Sequence, residues 1–168
     1  MSGGGIPVIG LIGGSGTVGR TAALRMSAAR LGTLRIGGRN VDAAGAVAAE
    51  CSGAADAVRL DLADAADLEQ FCSGCSVVVN CAGPSYLVLD SVARVAFSVG
   101  ADYVDIGGEL PAADALRSSQ PASDRIAVFS AGAMPGLSGL LPRLITQGRP
   151  LRRLETYVGG VARFTELS

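Results

Sequence analysis

The chain has 168 residues, 49% apolar and 17% charged, which is enough for one domain with a real core and leaves little room for a second. Fourteen basic and fifteen acidic side chains leave a net charge of −1 and a pI near 5.4, which argues against a partner gripped through a nucleic-acid backbone. Histidine is absent and every basic residue is arginine, so Ser-His-Asp triads, Cys-His dyads, His-ligated metals, lysine phosphate loops, Schiff bases and Tyr-x-x-x-Lys pairs are all excluded.

Apolar runs and helical stretches alternate from the start. Residues 6–12 (IPVIGLI) form a compact apolar run of the buried-strand kind, followed by an Ala/Leu/Arg-rich helix over 17–30. A short strand at 33–36 ends on Gly37-Gly38, and an Ala-rich helix over 41–51 follows, capped by Asn40 or Asp42. A third strand at 57–60 leads to a helix over 64–72, which Asp64 can cap. The run at 76–81 (SVVVNC) is β-branched and does not alternate, as befits a strand covered on both faces. A helix over 85–99 stops at Gly100, a fifth strand spans 103–106, a helix 111–118 and a sixth strand 126–130. The Pro135-Gly136 turn opens a helix over 137–145, and 151–158 (LRRLETYV) reads as one more strand. Repeated β-α units with short turns predict an α/β fold, a doubly wound parallel sheet of about six strands plus the start of a further one. Ligands of such sheets bind at the carboxyl ends of the strands.

No stretch has the make-up of a signal peptide or of the roughly 20-residue apolar span a membrane helix needs, so a cytoplasmic protein without membrane contact is expected. There the four cysteines, Cys51, Cys72, Cys75 and Cys81, read as reduced thiols. Cys72-x-x-Cys75 has neither a second close pair nor a histidine to complete a zinc site, so no metal is expected.

The sequence Gly14-Ser15-Gly16-Thr17-Val18-Gly19 matches G-x-G-x-x-G between the first strand and the first helix. In that context Gly14 permits the tight turn, Gly16 lets a pyrophosphate approach the backbone, and Gly19 lets the helix pack on the strand. The helix start adds free amides and a partial positive charge. An NAD site places an acid at the end of the second strand; here the residues are Gly37-Gly38-Arg39-Asn40. Arg39 offers a planar cation to a 2′-phosphate and Asn40 further hydrogen bonds, which favours NADP over NAD. Asp61-Leu62 follow the third strand, where Asp61 can accept from an adenine amine or cap a helix. Ala82-Gly83-Pro84 after the fourth strand form a rigid turn under the nicotinamide half. Hydride transfer belongs to the cofactor, and the protein handles a proton. The candidates for that are Tyr86, Asp105 and Glu109, all expected at the carboxyl edge of strands four and five.

Several of these stretches coincide in one family. The loop IGLIGGSGTVGR, the strand exit IGGRN, RLDLAD, the stretch VVNCAGPSYLVLDSVARVAFSVGADYVDIGGE and AVFSAGAMPGLSGLLPRLI together resemble the NADP-binding domain of the saccharopine dehydrogenase (saccharopine reductase-like) family over residues 6–147. The resemblance implies a Rossmann-type domain in which Gly14, Gly16 and Gly19 hold the pyrophosphate, Arg39 and Asn40 the 2′-phosphate, and Gly83-Pro84 the nicotinamide. It implies NADPH-dependent reduction of an imine, or oxidation of a secondary amine, in a small amino-acid-like substrate. Such proteins usually carry a second α+β domain that supplies much of the substrate pocket and the dimer contacts. Residues 1–150 are therefore expected to be the NADP-binding domain, and 151–168 the start of a second segment that is cut short. A homodimer would form through a further C-terminal segment or another chain. On this reading the 168 residues bind cofactor without turning over substrate. A non-catalytic NADP sensor, or a structural subunit of a larger assembly, remains the alternative, because the fold hosts all three.

Overall fold

The computed structural model describes residues 5–108, 110–119, 124–134, 136–150, 152–155 and 157. In chain order the elements are β1 (Val8–Ile12), α1 (Thr17–Ala28), β2 (Thr33–Gly38), α2 (Val41–Glu50), β3 (Ala55–Arg59), α3 (Ala65–Cys72) and β4 (Val77–Asn80). They continue with α4 (Ser85–Val88), α5 (Ser91–Ser98), β5 (Asp102–Asp105), α6 (Leu110–Ser119), β6 (Ala127–Val128) and α7 (Leu137–Thr146). Among the described residues the six strands form one parallel sheet in the order β3-β2-β1-β4-β5-β6. The order reverses between β1 and β4, which makes their carboxyl ends the switch point at which such sheets bind ligands.

Alternation along β1 and β2 splits the core into two layers. Ile9, Leu11, Leu34 and Ile36 face Ala23, Ala44 and Val47 of α1 and α2. On the opposite face Ile12, Val78 and Tyr103 pack with Leu68 and Phe71 of α3 and with Val92, Ala93 and Ala96 of α5. Gly10 and Gly37 also point to this second face. A Cβ on Gly10 would lie 3.0 Å from the Phe71 ring, and one on Gly37 only 2.6 Å from it. Two adjacent strands thus lack side chains where one ring enters, and Phe71 is fully enclosed. Burying a side chain of that size contributes about 1.5–3 kcal/mol.

Three expectations need correction. The helix expected over 85–99 is two helices. Leu89 takes φ 45° and ψ −121°, which ends α4, and the Ser91 hydroxyl satisfies the Val88 carbonyl at 2.7 Å in place of a helical amide. The sixth strand, expected over 126–130, pairs only at Ala127–Val128. Beyond it Ser130 turns to φ 57° and donates to the Gly107 carbonyl, so the chain leaves the ladder. Residues 152–155 and 157 are not in a strand: alternation alone makes none without a neighbour to pair with, and the rest of 151–158 lies outside the described residues. In α7 no residue is buried, and Leu137, Leu140, Leu141, Leu144 and Ile145 are all exposed. Among the described residues no helix is long and apolar enough to cross a membrane.

All four cysteines are free thiols, with Cys72 and Cys75 in the core at the end of α3. Burial, helped by the charge of Cys75 and opposed by Arg35, pushes Cys72 from its ordinary value of 9.0 up to about 12. Burial likewise raises Cys75, against the pull of Arg35. A group whose folded value is raised stabilises the fold fully below its unfolded value and loses that contribution as pH climbs toward the folded one. The melting temperature is therefore expected to fall from about pH 9 upward, and Cys72→Ala should flatten that fall. A melting temperature level to pH 11 in the parent protein would contradict this.

Candidate functional site

The carboxyl end of β1 runs into a turn built on backbone contacts. Gly13, at φ 73°, and Gly14 both donate to the Gly37 carbonyl at the end of β2, at 2.9 and 3.4 Å. Gly16 N donates back to Gly13 O at 3.0 Å, and the first helical bond of α1 runs from Arg20 N to Gly16 O at 2.8 Å. The amides of Thr17, Val18 and Gly19 meet no acceptor among the described residues, and no acid stands in that first turn. Three N–H groups and the positive end of the helix dipole are thus presented together. Ser15, Gly16, Thr17 and Val18 are all exposed around them. Gly14 and Gly19 are buried and leave no room for a side chain: a Cβ would sit 2.4 Å from Ile36 at the former and 2.2 Å from Gly13 O at the latter.

Next along the edge, Arg39 is exposed beyond β2 and makes no ion pair or hydrogen bond with a described residue. Asn40, not Asp42, caps α2: its carbonyl accepts from Ala43 N at 3.0 Å, which leaves the amide NH2 beside Arg39 able to donate. Asp61 does not cap a helix. It closes its own turn by accepting from Ala63 N at 3.0 Å, while Asp64 caps α3 through Ala66 N and Asp67 N. Leu62 packs against the second core layer.

On the other side of the switch point, the β4 exit lies directly against the β1 turn. A Cβ on Gly13 would be 2.9 Å from Ala82 N. Asn80, fully buried at the end of β4, accepts from Ala82 N at 3.0 Å, and the turn continues through the cis Gly83-Pro84 peptide into α4. Tyr86 projects from α4, 72% exposed, on the rim of a small open cleft with Ser85, Leu89, Pro111 and Ala112. Asp105, at the end of β5, is only 2% exposed. Its Oδ2 accepts from the Tyr103 hydroxyl at 2.5 Å and from Asn80 Nδ2 at 3.1 Å, and its Oδ1 from Gly107 N at 2.8 Å. Burial first, and then the Asp105 charge, raise the Tyr103 hydroxyl far above its ordinary range and Cys81 to about 11. Of the three proton-donor candidates, Tyr86 stands open at the edge, Asp105 is occupied by protein donors, and Glu109 lies outside the described residues. Sequence reasoning missed Asn80 and Tyr103. A lone Asn closing a β-branched run, and a Tyr two residues before an Asp on one strand, were the signals available.

The model of the saccharopine dehydrogenase NADP binding domain matches residues 9–130. The chain belongs to that family. No curated protein matches it. This NADP binding domain superposes on saccharopine dehydrogenase (L-Glu forming) from Saccharomyces cerevisiae with a TM-score of 0.72 at 21% identity, covering 85% of this chain and 31% of that one. It also resembles Pen from Bacillus thuringiensis, with a TM-score of 0.61 at 14% identity over 72% of this chain and 48% of that one. A shikimate 5-dehydrogenase from Mycobacterium fortuitum matches with a TM-score of 0.51 at 18% identity, over 74% of this chain and 44% of that one. At these identities the structural likeness speaks for the fold. The chain spans about a third of the length of the yeast enzyme. The donor set fits a nicotinamide dinucleotide: among the described residues, three amides at a helix start and a guanidinium one strand away have no partner, and the glycine turn between them is exposed.

Proposed function

We propose that this domain holds NADPH, in preference to NADH, for an oxidoreductase that reduces an imine of a small amino-acid-like substrate or runs the reverse oxidation of a secondary amine. When bound, NADPH supplies the hydride. The amides of Thr17, Val18 and Gly19, with the exposed Ser15 and Gly16 beside them, receive the pyrophosphate. Arg39 and the free NH2 of Asn40 take the 2′-phosphate, and Asp61 with Leu62 borders the adenine. Ala82, Gly83 and Pro84 floor the nicotinamide half. Tyr86, exposed at the edge, or Glu109 handles the proton, while Asp105 serves the architecture beneath that edge.

The observation that carries the NADP reading is Arg39, without a partner among the described residues, where an NAD site would place an acid. A guanidinium–phosphate contact contributes about 1.5–3 kcal/mol, so Arg39→Ala should weaken NADPH about 10- to 150-fold and leave NADH within twofold. Titration of the parent chain with both cofactors checks this, and equal affinities would defeat it. The substrate class draws on the family and on the L-glutamate-forming yeast relative. NADPH consumption by a protein carrying this domain, with amino acids paired with keto acids or aldehydes, tests that class. A protein that binds NADPH and consumes it with none of those pairs would overturn the imine reading.

A further inference from the structure

The NADP reading gives no cofactor contact to one feature, a buried carboxylate with no cation beside it among the described residues. Asp105 forms no salt bridge among the described residues, yet it lies sealed with Asn80 and Tyr103, both of them 0% exposed. An unpaired buried charge is a poor way to gain stability, because desolvation opposes it and an apolar residue would pack the same space. Its location distinguishes it from a mere core polar group. Asn80 and Asp105 are direct partners in the β4–β5 ladder, the last pair before both strands end at the ligand edge.

We propose that Asp105 is the positioning residue of the nicotinamide half-site: it locks the exits of β4 and β5 to each other so that the floor under the nicotinamide exists before cofactor arrives. The inference rests on the NADP reading above. Through Oδ2 it holds Asn80, whose own side chain accepts from Ala82 N at 3.0 Å and donates to Ala82 O at 3.3 Å, the residue that opens the Ala82–Pro84 turn. Through Oδ1 it holds Gly107 N at 2.8 Å, and the Gly107 carbonyl in turn accepts from Ser130 N. The Asp105 backbone carbonyl accepts from Ala131 N at 2.8 Å, so the segment after β6 is tied to the same point. Tyr103 fixes the carboxylate from below and is itself held edge-on against Phe129 at 5.7 Å. With the 2′-phosphate at Arg39 and the pyrophosphate at the β1 turn, a dinucleotide reaches this pair of exits with its other end. The close approach of Gly13 to Ala82 makes the path continuous.

Asp105→Asn keeps the volume and removes at least one hydrogen bond. With the amide oxygen toward Tyr103 and Asn80, the new NH2 faces Gly107 N–H, donor against donor; the flipped amide sets it against the other two donors instead. The adenine-side contacts at Arg39 and the β1 turn are untouched.

The test is titration of parent and Asp105→Asn chains with NADPH and with adenosine 2′,5′-bisphosphate, which carries the adenine half and the 2′-phosphate but no nicotinamide. The expected result is an NADPH affinity about tenfold or more weaker in the variant, with the bisphosphate affinity held within twofold. Equal losses for both ligands would mean a general structural role and overturn the proposal, as would an unchanged NADPH affinity. Should Asp105→Asn fail to fold, Tyr103→Phe removes a single donor and is expected to show the same split at smaller size, with the same outcomes deciding. A parent chain that binds neither ligand defeats the NADP reading itself. One that binds NADPH no better than the bisphosphate defeats only the preformed nicotinamide floor.

Discussion

Gly16→Val is expected to abolish NADPH binding, by about 100-fold or more, and to leave the domain folded. Both halves follow from the same position. Gly16 has φ −74° and ψ 166°, extended backbone that valine readily adopts. Within 4 Å a Cβ there meets only Gly13 O, at 3.3 Å, a contact that a shift of a few tenths of an ångström relieves. The added carbons would crowd the exposed turn beside the amides of Thr17, Val18 and Gly19, where the pyrophosphate is proposed to enter. Two charge-assisted hydrogen bonds lost at about 1.5–3 kcal/mol each account for the size of the effect. Circular dichroism and a binding titration on the same sample check it. Retained affinity would mean that the first turn of α1 is not the phosphate site.

Gly19→Ala is expected to do the opposite: the smallest of side chains should damage the fold first and binding in consequence. Its Cβ would lie 2.2 Å from Gly13 O and 2.8 Å from Gly14 Cα, backbone that cannot rotate away. Relief requires α1 to lift off the end of β1, which drags the loop with it. Overpacking against flexible side chains costs about 1–3 kcal/mol, and against backbone we expect about 3 kcal/mol or more. For a chain of this length that lowers the melting temperature by about 6–12 °C. A Gly19→Ala protein that melts with the parent would show that the helix has room the geometry denies.

The sheet was legible in the sequence because each central strand is a short apolar run bounded by glycine or a polar cap. Neither the break at Leu89 nor the early end of β6 could be read that way. Each turns on a single residue, Leu89 or Ser130, at positive φ, and neither residue type announces that conformation. The phosphate loop was legible as a contiguous motif in a strand-to-helix context. The Asn80–Tyr103–Asp105 cluster was not, since its members come from two strands and only the β4–β5 register brings them together. Asn40 as the α2 cap was one of two readings of adjacent residues, and the choice depended on which carbonyl reached Ala43 N. The slot for Phe71 could not be read locally at all, because Gly10, Gly37 and Phe71 come from three separate elements.

That slot has a mechanical consequence. A ring seated between two side-chain-free strands works as a key: α3 has one register on the sheet, and it cannot slide or roll without first withdrawing Phe71 from β1 and β2. The turn at Asp61 and the Asp64 cap hang on the same helix, so the edge of the sheet beside β3 is stiff by construction. At the far edge Phe129 lies against Gly108, where a Cβ would come within 2.5 Å of its ring, and edge-on to Tyr103. There β6 pairs over two residues, and single hydrogen bonds tie Gly107 to Ser130 and Asp105 to Ala131. The two edges of the sheet are thus held by different means, one by a ring in a slot and the other by hydrogen bonds and ring contacts.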